Sequence, residues 1–375
     1  MKVYLDNAAT TPIAPEVINL ISEMMRTIFA NPSSVHEFGR KSKTIVENAR
    51  KSIAKLLNTA PGTIFFTSGG TEANNMAIKC GINDHNIKHA VTSKLSHPAV
   101  LYPLEDLVSE KTLKLSYVDF NKDGVVDLVH LEHLLIENRR TFVSIMHANN
   151  EIGTIQDIKT IGDICRKHNG IFHTDAVQTM AHYTFDMQKL NVDFMAASAH
   201  KFHGPKGVGF IYISEDIKIN PLLKGGPQER NMRAGTENIH GIAGLQKALE
   251  ISYQNIKEDK KYIKSLKKYM IDQLKMHISG VEFFIDYTDL ENSLYKVLCV
   301  SFPETDIAEM LLFNLDISGI SCSGGSACAS GGSTRSHVLS AIAPNSKRPG
   351  IRFSFSKYNT KEEIDYTVKK LKELF

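Results

Sequence analysis

A glycine turn between a strand and a helix is the first feature of the sequence that could do chemistry. The apolar run 64–67 predicts a short strand, and Ser68, Gly69, Gly70 and Thr71 lead from it into a segment of good helix formers. Unpaired backbone N–H groups and the positive end of the helix dipole meet at such a turn. The turn therefore suits a phosphate group, although an ordinary glycine turn with a Ser or Thr helix cap has the same pattern.

Two further polar residues follow apolar strands. Asp175 ends the run GIFHTD, and Lys201 follows the run VDFMAASAH. A carboxylate at a strand end can keep a ring nitrogen protonated, as pyridoxal phosphate requires when its ring accepts electrons, but an isolated Asp there could also cap a helix. A lysine partly withdrawn from water loses its proton more easily, so it can form a Schiff base with an aldehyde.

Lys206 is the alternative amine to Lys201. It lies within the turn GPKG, which we expect to face solvent, whereas Lys201 directly follows an apolar strand. A phosphate turn, a carboxylate for a ring nitrogen and a strand-end lysine occur in this order along the chain. Together they predict a site for pyridoxal phosphate.

The elements that must position these residues alternate between short strands and helical segments. We predict an α/β fold with a mainly parallel sheet covered by helices on both faces, so that ligands bind at the carboxyl ends of the strands. The predicted strands of this sheet are 64–67, 114–118, 142–146, 171–174, 194–197 and 208–213. One long lysine-rich helix is predicted over 247–274, followed by strands near 281–285, 297–302 and 351–355 and helices near 306–314 and 361–374.

Composition excludes several classes of protein. Hydrophobic residues make up 42% and charged residues 23% of the 375-residue chain, as in an ordinary folded protein, and the net charge of +3 gives no broad basic surface for nucleic acid. We find neither an apolar stretch of membrane-spanning length nor a signal-peptide layout. Five cysteines without a CxxC pair indicate neither a disulfide framework nor a metal site, so we expect a cytoplasmic protein with reduced thiols.

Seven segments occur in the order found in the NifS/IscS-type cysteine desulfurases. They are DNAATTP, FTSGGTEANN, MHANNEIGTIQDI, HTDAVQ, SAHKFHGPKGVG, GGPQERNMRAGTEN and SGGSACAS. Over almost its whole length the chain resembles this group of class V aminotransferases, which are pyridoxal-phosphate enzymes of fold type I.

The resemblance implies a reaction and its partners. Sulfur would be removed from L-cysteine, leaving L-alanine and a persulfide on Cys328 for transfer to an iron–sulfur scaffold or a thiolation protein, and the active unit would be a homodimer. A selenocysteine lyase or another class V aminotransferase is the alternative within the same cofactor class. A non-catalytic scaffold for sulfur-transfer partners is the alternative from a different class.

The resemblance also implies how the cofactor is held. Lys201 would bond to it covalently, Asp175 would pair with its pyridinium nitrogen and Gln178 would hydrogen-bond its phenolic oxygen. The remaining cofactor contacts would come from Gly70, Thr71, Asn150, Ser198, His200 and, reaching the cofactor of the neighbouring subunit, Thr236.

Four positions would bind or act on the substrate. Arg352 would clamp the substrate carboxylate with its planar guanidinium, assisted by Asn7, and Asn150 would lie near both ring and substrate. His97 would stack on the ring and shuttle protons, because imidazole titrates near neutrality. The family more usually has Glu before this histidine, where the chain has Ser96.

Cys328 is expected to be the nucleophile. It lies within SGGSACASGGS, a segment of small residues suited to motion, so that its thiolate can reach the substrate and then carry sulfur away. Cys322 could relay the persulfide or could be a small apolar residue at a strand end. Cys80, Cys165 and Cys299 lie in apolar runs and are expected in the core.

These expectations divide the chain into three parts. We predict an N-terminal arm over 1–15, a large cofactor-binding domain over 16–255 and a small α+β domain over 256–375. The small domain would carry the mobile cysteine loop at about 321–335. The last predicted helix ends close to Phe375. In this feature the sequence resembles the NifS-type members of the group more than the IscS-type members.

Overall fold

The computed structural model describes residues 1–138, 140–304, 310–324 and 336–375. Cys328 and most of the loop predicted around it lie outside the described residues, as does the first part of the helix predicted over 306–314. Within the described ranges, no helix is long and apolar enough to cross a membrane.

Helices and short strands alternate along most of the chain. The helices are α1 (Pro15–Thr27), α2 (Glu37–Leu56), α3 (Gly70–Asp84), α4 (Pro98–Ser109), α5 (Leu128–Glu137), α6 (Ile158–Lys167), α7 (Ile239–Gln254), α8 (Ile256–His277), α9 (Leu311–Ile317), α10 (His337–Ile342) and α11 (Lys361–Lys372). The strands are β1 (Val3–Tyr4), β2 (Ile64–Thr67), β3 (His89–Thr92), β4 (Lys114–Tyr117), β5 (Thr141–Ser144), β6 (Ile171–Asp175), β7 (Phe194–Ser198), β8 (Gly209–Ile213), β9 (Glu282–Phe283), β10 (Val297–Ser301), β11 (Ile320–Ser321), β12 (Ser323–Gly324) and β13 (Gly350–Ser354).

The central sheet has seven strands in the order β2-β8-β7-β6-β5-β3-β4. Only β8 runs antiparallel to its neighbours in this sheet, so the predicted α/β fold with a mainly parallel sheet is confirmed. Asp175 pairs with Ala196 in β7, while Thr67 and Ser198 both pair with Gly209 from opposite sides. The register therefore brings the ends of β2, β6 and β7 to one edge of the sheet.

Both faces of this sheet are covered, because alternate residues of its strands point to opposite sides. Phe194 packs into a cluster with Met76 of α3 and Leu104 of α4. The next residue, Met195, belongs to the cluster on the other face, which contains Val46 of α2 and Leu245 of α7. Strands that are buried on both faces consist of continuous apolar runs, and these runs are visible in the sequence.

A smaller antiparallel sheet, β12-β13-β10-β9, forms a separate core near the end of the chain. Its strands pack with α8 and α11 in a cluster that includes Leu266, Leu298, Phe353 and Leu371. The first residues of the chain join this region, because β1 pairs in parallel with β11 and the N–H of Asn7 donates to the carbonyl of Ser354.

The prediction of a single helix over 247–274 is wrong. The chain forms α7 and α8 there, separated at Asn255, whose backbone angles of φ −110° and ψ 10° leave the helical region. The side-chain amide of Asn255 donates to the carbonyl of Ile251, 2.9 Å away, so the side chain competes with the backbone for a helical acceptor. Asparagine in this position ends the first helix.

Candidate active site

A cavity of about 370 Å³ opens at the carboxyl edge of the central sheet. It is lined by ten of the residues assigned to the site from the sequence: Gly70, Thr71, His97, Asn150, Asp175, Gln178, Ser198, His200, Lys201 and Arg352. They come from segments spread over more than half of the chain, so the fold gathers them at one place.

The glycine turn after β2 lies close against the rest of this edge. A Cβ atom on Gly70 would lie 2.5 Å from Cγ2 of Val177, and one on Gly209 would lie 2.8 Å from Cα of Gly69. Gly69 itself has φ of +154°, which side-chain-bearing residues rarely adopt. These close approaches place the first turn of α3, with its free N–H groups, beside Ser198, whose side chain also lines the cavity.

Lys201 enters the cavity from the short helical turn that follows β7. Its ammonium group donates hydrogen bonds to the carbonyls of Ala8 and Ala9, each 2.7 Å away. Lys206, the alternative amine, is exposed in the turn beyond. The geometry therefore favours Lys201 as the amine that can reach a bound aldehyde.

Asp175 is held by a chain of buried hydrogen bonds. One carboxylate oxygen accepts from the amide of Asn74 at 2.7 Å, and the other accepts from the backbone N–H of Val177 at 2.9 Å. The amide oxygen of Asn74 lies 3.1 Å from Nε2 of His173, and burial lowers the pKa of this imidazole to about 4. A neutral imidazole therefore orients Asn74, which fixes the carboxylate of Asp175 toward the cavity.

His97 caps the N-terminus of α4. Its Nδ1 accepts from the N–H of Ala99 at 3.0 Å, so the neutral ring carries its proton on Nε2. Burial lowers its pKa, and the charge on Lys201 adds to this effect while Asp175 opposes it. Ser96, which stands where the family more usually has Glu, bonds through its hydroxyl to Thr92 at 3.0 Å.

Two polar atoms at the cavity have no hydrogen-bond partner within the described part of the chain. They are Oε1 of Gln178, whose amide nitrogen donates to the carbonyl of Ala8, and Nε of Arg352. The other two guanidinium nitrogens of Arg352 donate to the carbonyl of Asn150 at 3.0 Å and to the carboxylate of Asp6 at 2.7 Å. Buried polar groups rarely stay unpaired in proteins, so both atoms mark places where a polar ligand fits.

Two assigned residues do not line the cavity. Asn7 donates to the carbonyl of Ser354 at 2.8 Å and to the side-chain oxygen of Asn359 at 3.2 Å, and its neighbour Asp6 contacts Arg352 instead. Thr236 is exposed on the surface.

Sequence reasoning missed several residues at the cavity. Asn74, Glu151 and His337 line it, and Asp6 pairs with Arg352. The first two follow from signals in the sequence, since Asn74 lies one helical turn after Gly70 and Glu151 directly follows Asn150. Among the residues described, no group of three His, Cys, Asp or Glu side chains is placed to hold a metal ion.

The described cysteines are poor nucleophiles. Cys165 and Cys299 are buried as predicted, with raised pKa values, and burial together with Asp84 raises the pKa of Cys80 to about 11. Burial, with the nearby charge of Asp6, raises the pKa of Cys322 to about 12. A thiol that stays protonated at neutral pH does not relay sulfur readily, so the structure favours a packing role for Cys322.

Comparisons with known proteins show the family to which the chain belongs. The family described as aminotransferase class-V matches residues 3–367. A cysteine desulfurase IscS from Dictyoglomus turgidum is 42% identical, with 100% of this chain and 94% of the relative covered. A putative cysteine desulfurase IscS 1 from Bacillus subtilis is 40% identical over 98% of this chain and 97% of its own length.

A solved structure shows the same likeness in three dimensions. A protein described as NifS-like superimposes with a TM-score of 0.91 at 38% identity, and the match covers 100% of this chain and 99% of the solved one. The family match, the relatives and the fold confirm the resemblance inferred from the sequence motifs. The chain belongs to the class V aminotransferase family, among its NifS/IscS-type cysteine desulfurases.

Proposed function

We propose that this protein is a pyridoxal-phosphate-dependent cysteine desulfurase that converts L-cysteine into L-alanine and leaves the sulfur as a persulfide on Cys328. The observation that carries the proposal is the convergence of Lys201, Asp175, His97 and Arg352 on one cavity. An amine, a carboxylate, an imidazole and a guanidinium are the groups that a reaction at the α-carbon of an amino acid needs.

The cavity fits the cofactor on which class V enzymes depend. The unpaired Oε1 of Gln178 offers a contact for a polar ring substituent, and the close packing of Gly70 against Val177 leaves no room for a side chain there, so the backbone N–H groups of the first turn of α3 are available to a phosphate. Lys201 would bond to the aldehyde group of the cofactor, and Asp175 would pair with its ring nitrogen. The phosphate would lie among Gly70, Thr71, Ser198 and His200. When bound, the cofactor withdraws electrons from the substrate α-carbon so that its proton can leave.

Arg352 is proposed to bind the substrate carboxylate. Its side chain is 2% exposed and its Nε is unpaired within the described part of the chain, so a carboxylate entering the cavity gains a charge-assisted hydrogen bond that solvent does not already supply. The contact with Asp6 fixes the plane of the guanidinium. The substrate is thereby oriented before any bond changes.

His97 is proposed to move protons. Because its pKa is lowered from the ordinary value, the ring is neutral at neutral pH, and since Nδ1 accepts from the N–H of Ala99, its proton lies on Nε2 and can be donated from there to a substrate group. The neutral ring can accept a proton only at Nδ1, and for this the hydrogen bond from Ala99 has to open.

Cys328 is proposed to receive the sulfur. Its thiolate attacks the substrate sulfur, an S–S bond forms, the C–S bond breaks, and the substrate carbon keeps the electron pair and takes a proton to give L-alanine. The persulfide then passes to an acceptor protein, either an iron–sulfur scaffold or a thiolation protein. We further propose that the enzyme acts in the cytoplasm and that it divides into the arm, large domain and small domain assigned from the sequence.

We also propose that the active unit is a homodimer. Phe29, Val35 and Phe38 are 74%, 88% and 57% exposed, and the rings of Phe29 and Phe38 are 5.6 Å apart, so large apolar groups cluster on an open surface. A second copy of the chain could cover this cluster and bring its own Thr236 toward the cofactor. Sedimentation velocity should give a dimer, and a monomer that retains full activity would refute this part of the proposal.

The proposed activity is tested with L-cysteine and the cofactor-loaded protein. With an excess of a thiol reductant, we expect L-alanine and sulfide in equal amounts. A strong preference for L-selenocysteine would support the selenocysteine lyase alternative, and transfer of the amino group to a keto acid would support an aminotransferase. Absence of all three reactions in the loaded protein would contradict an enzymatic role.

Replacing Arg352 by lysine should raise the KM for L-cysteine much more than it lowers kcat. Loss of a charge-assisted hydrogen bond costs about 1.5–3 kcal/mol, so KM should rise about tenfold to a hundredfold. Arg348→Lys is the matched control, because Arg348 donates hydrogen bonds to Ser301 and Gly280, does not line the cavity, and its replacement should leave KM near the wild-type value. Equal effects of the two substitutions on KM would exclude Arg352 as the carboxylate-binding residue.

A further inference from the structure

Glu151 is a buried carboxyl group at the active-site cavity to which the reaction described above gives no role. It lies in the connection between β5 and α6, lines the cavity and is only 5% exposed. Its backbone N–H donates to the side-chain oxygen of Asn149 at 2.8 Å, and its Oε2 accepts a hydrogen bond from the hydroxyl of Ser336 at 2.5 Å. The side chain is therefore fixed in place.

Arg352 shares this part of the cavity. One of its nitrogens donates to the carbonyl of Asn150, the residue next to Glu151, and another pairs with Asp6. The charge of Arg352 also acts on Glu151, so an ionised Glu151 adds its negative charge to the one that Asp6 brings to this guanidinium and makes the site less favourable for a substrate carboxylate. If Glu151 is protonated, this added repulsion is absent.

We propose that Glu151 is a positioning residue that acts through Arg352. The binding of the substrate carboxylate to Arg352 then depends on whether Glu151 is protonated. The inference rests on the proposed function insofar as the substrate is an α-amino acid held by Arg352. Protonated Glu151 permits binding, whereas ionised Glu151 weakens it by like-charge repulsion in a poorly hydrated site.

The surroundings of Glu151 place its titration near neutral pH. Burial raises the pKa of Glu151 to about 7, while the hydrogen bond from Ser336 and the charge of Arg352 act in the opposite direction. The charged and titratable groups that face it or share its cavity are Asp6, His97, Asp175, His200, Lys201, Cys299, His337 and Arg352.

The direction of the pH effect follows from linkage. A bound carboxylate disfavours the ionised form of Glu151 and so raises its pKa, and by reciprocity protonation of Glu151 strengthens carboxylate binding. The affinity for the amino acid is therefore full below the pKa of the free protein. It is partly lost as the pH rises through that pKa.

Glu151→Gln tests this dependence, because glutamine keeps an oxygen that accepts from Ser336 but cannot ionise. We expect the ratio of the wild-type KM for L-cysteine to that of the variant to rise about three- to tenfold between about pH 6 and about pH 8. Taking this ratio removes the titration of L-cysteine itself. Glu110→Gln, at an exposed glutamate, is the control and should leave the pH dependence of KM unchanged.

Binding of L-alanine to the cofactor-loaded protein gives a second readout that needs no turnover. Calorimetry should show the same loss of affinity with rising pH in the wild type but not in Glu151→Gln. If L-cysteine is not desulfurated and this pattern still appears, the proposed function fails while the inference survives. If affinity for L-alanine has the same pH dependence in both proteins, the inference is wrong.

Ser336→Ala and infrared spectroscopy test the titrating group directly. Removing the hydroxyl takes away a hydrogen bond that favours the carboxylate, so the midpoint of the KM change should move to higher pH. The infrared band of a protonated carboxyl group should disappear as the wild type is taken from about pH 6 to about pH 8, and this change should be absent from Glu151→Gln. The same infrared change in Glu151→Gln as in the wild type would show that another group titrates there.

Discussion

Replacing Cys328 by serine abolishes the release of L-alanine from L-cysteine, while the protein keeps its bound cofactor and its yellow colour. A serine hydroxyl is not ionised at neutral pH and cannot take up sulfur as a persulfide, so the C–S bond of the substrate stays intact. Loss of a nucleophile that forms a covalent intermediate lowers turnover by about a thousandfold or more. Chromatographic measurement of L-alanine, together with the visible spectrum of the same sample, checks both parts of the prediction.

Cys322→Ser is the matched control for this experiment. Cys322 is the cysteine nearest to Cys328 in the sequence, and its raised pKa keeps it protonated, so its replacement should leave L-alanine release within about twofold of wild type. The opposite pattern, an active Cys328→Ser and an inactive Cys322→Ser, would move the nucleophile to position 322.

Replacing Lys201 by alanine should remove both the colour and the activity. The visible band of the lysine-bound cofactor requires a covalent bond to that lysine, and Lys201 lines the cavity together with Asp175 and His97. We expect the purified variant to lack the visible band and to release L-alanine at about a thousandth of the wild-type rate or less. Absorption spectra and product assays measure the two effects.

Lys206→Ala separates this role from a general effect on folding. Lys206 is exposed in the turn that follows, so its replacement should preserve both colour and turnover. Far-ultraviolet circular dichroism should show that all three proteins have the same helix and strand content. A yellow Lys201→Ala together with a colourless Lys206→Ala would assign the covalent link to the other lysine.

The sequence predicts the edge of the sheet at which the site lies because parallel strands end at the same side. Asp175 and Ser198 each end a buried apolar run, and the strand register brings those ends together beside the turn at Gly70. Burial on both faces makes such strands visible as continuous apolar runs. The same logic separates Lys201, at a strand end, from Lys206, in a turn.

Other features depend on side-chain contacts that no local pattern encodes. Apolar residues recur at helical spacing through both α7 and α8, so this spacing does not reveal the break at Asn255. The sequence places Asn74 one helical turn after Gly70 but not the contact of its amide with Asp175, and Asp6 matters because it reaches Arg352, a residue distant in the sequence. The state of Glu151 depends on its burial, which only the folded arrangement of three separate segments produces.

The central claim is that the sulfur of L-cysteine moves to Cys328. Brief incubation of the cofactor-loaded protein with isotopically labelled L-cysteine, followed by alkylation, proteolysis and mass spectrometry, tests it most directly. The account predicts one additional labelled sulfur atom on the peptide that contains Cys328, formed together with one L-alanine. Release of L-alanine with an unmodified Cys328 and labelled sulfur on another cysteine, or on none, would contradict it.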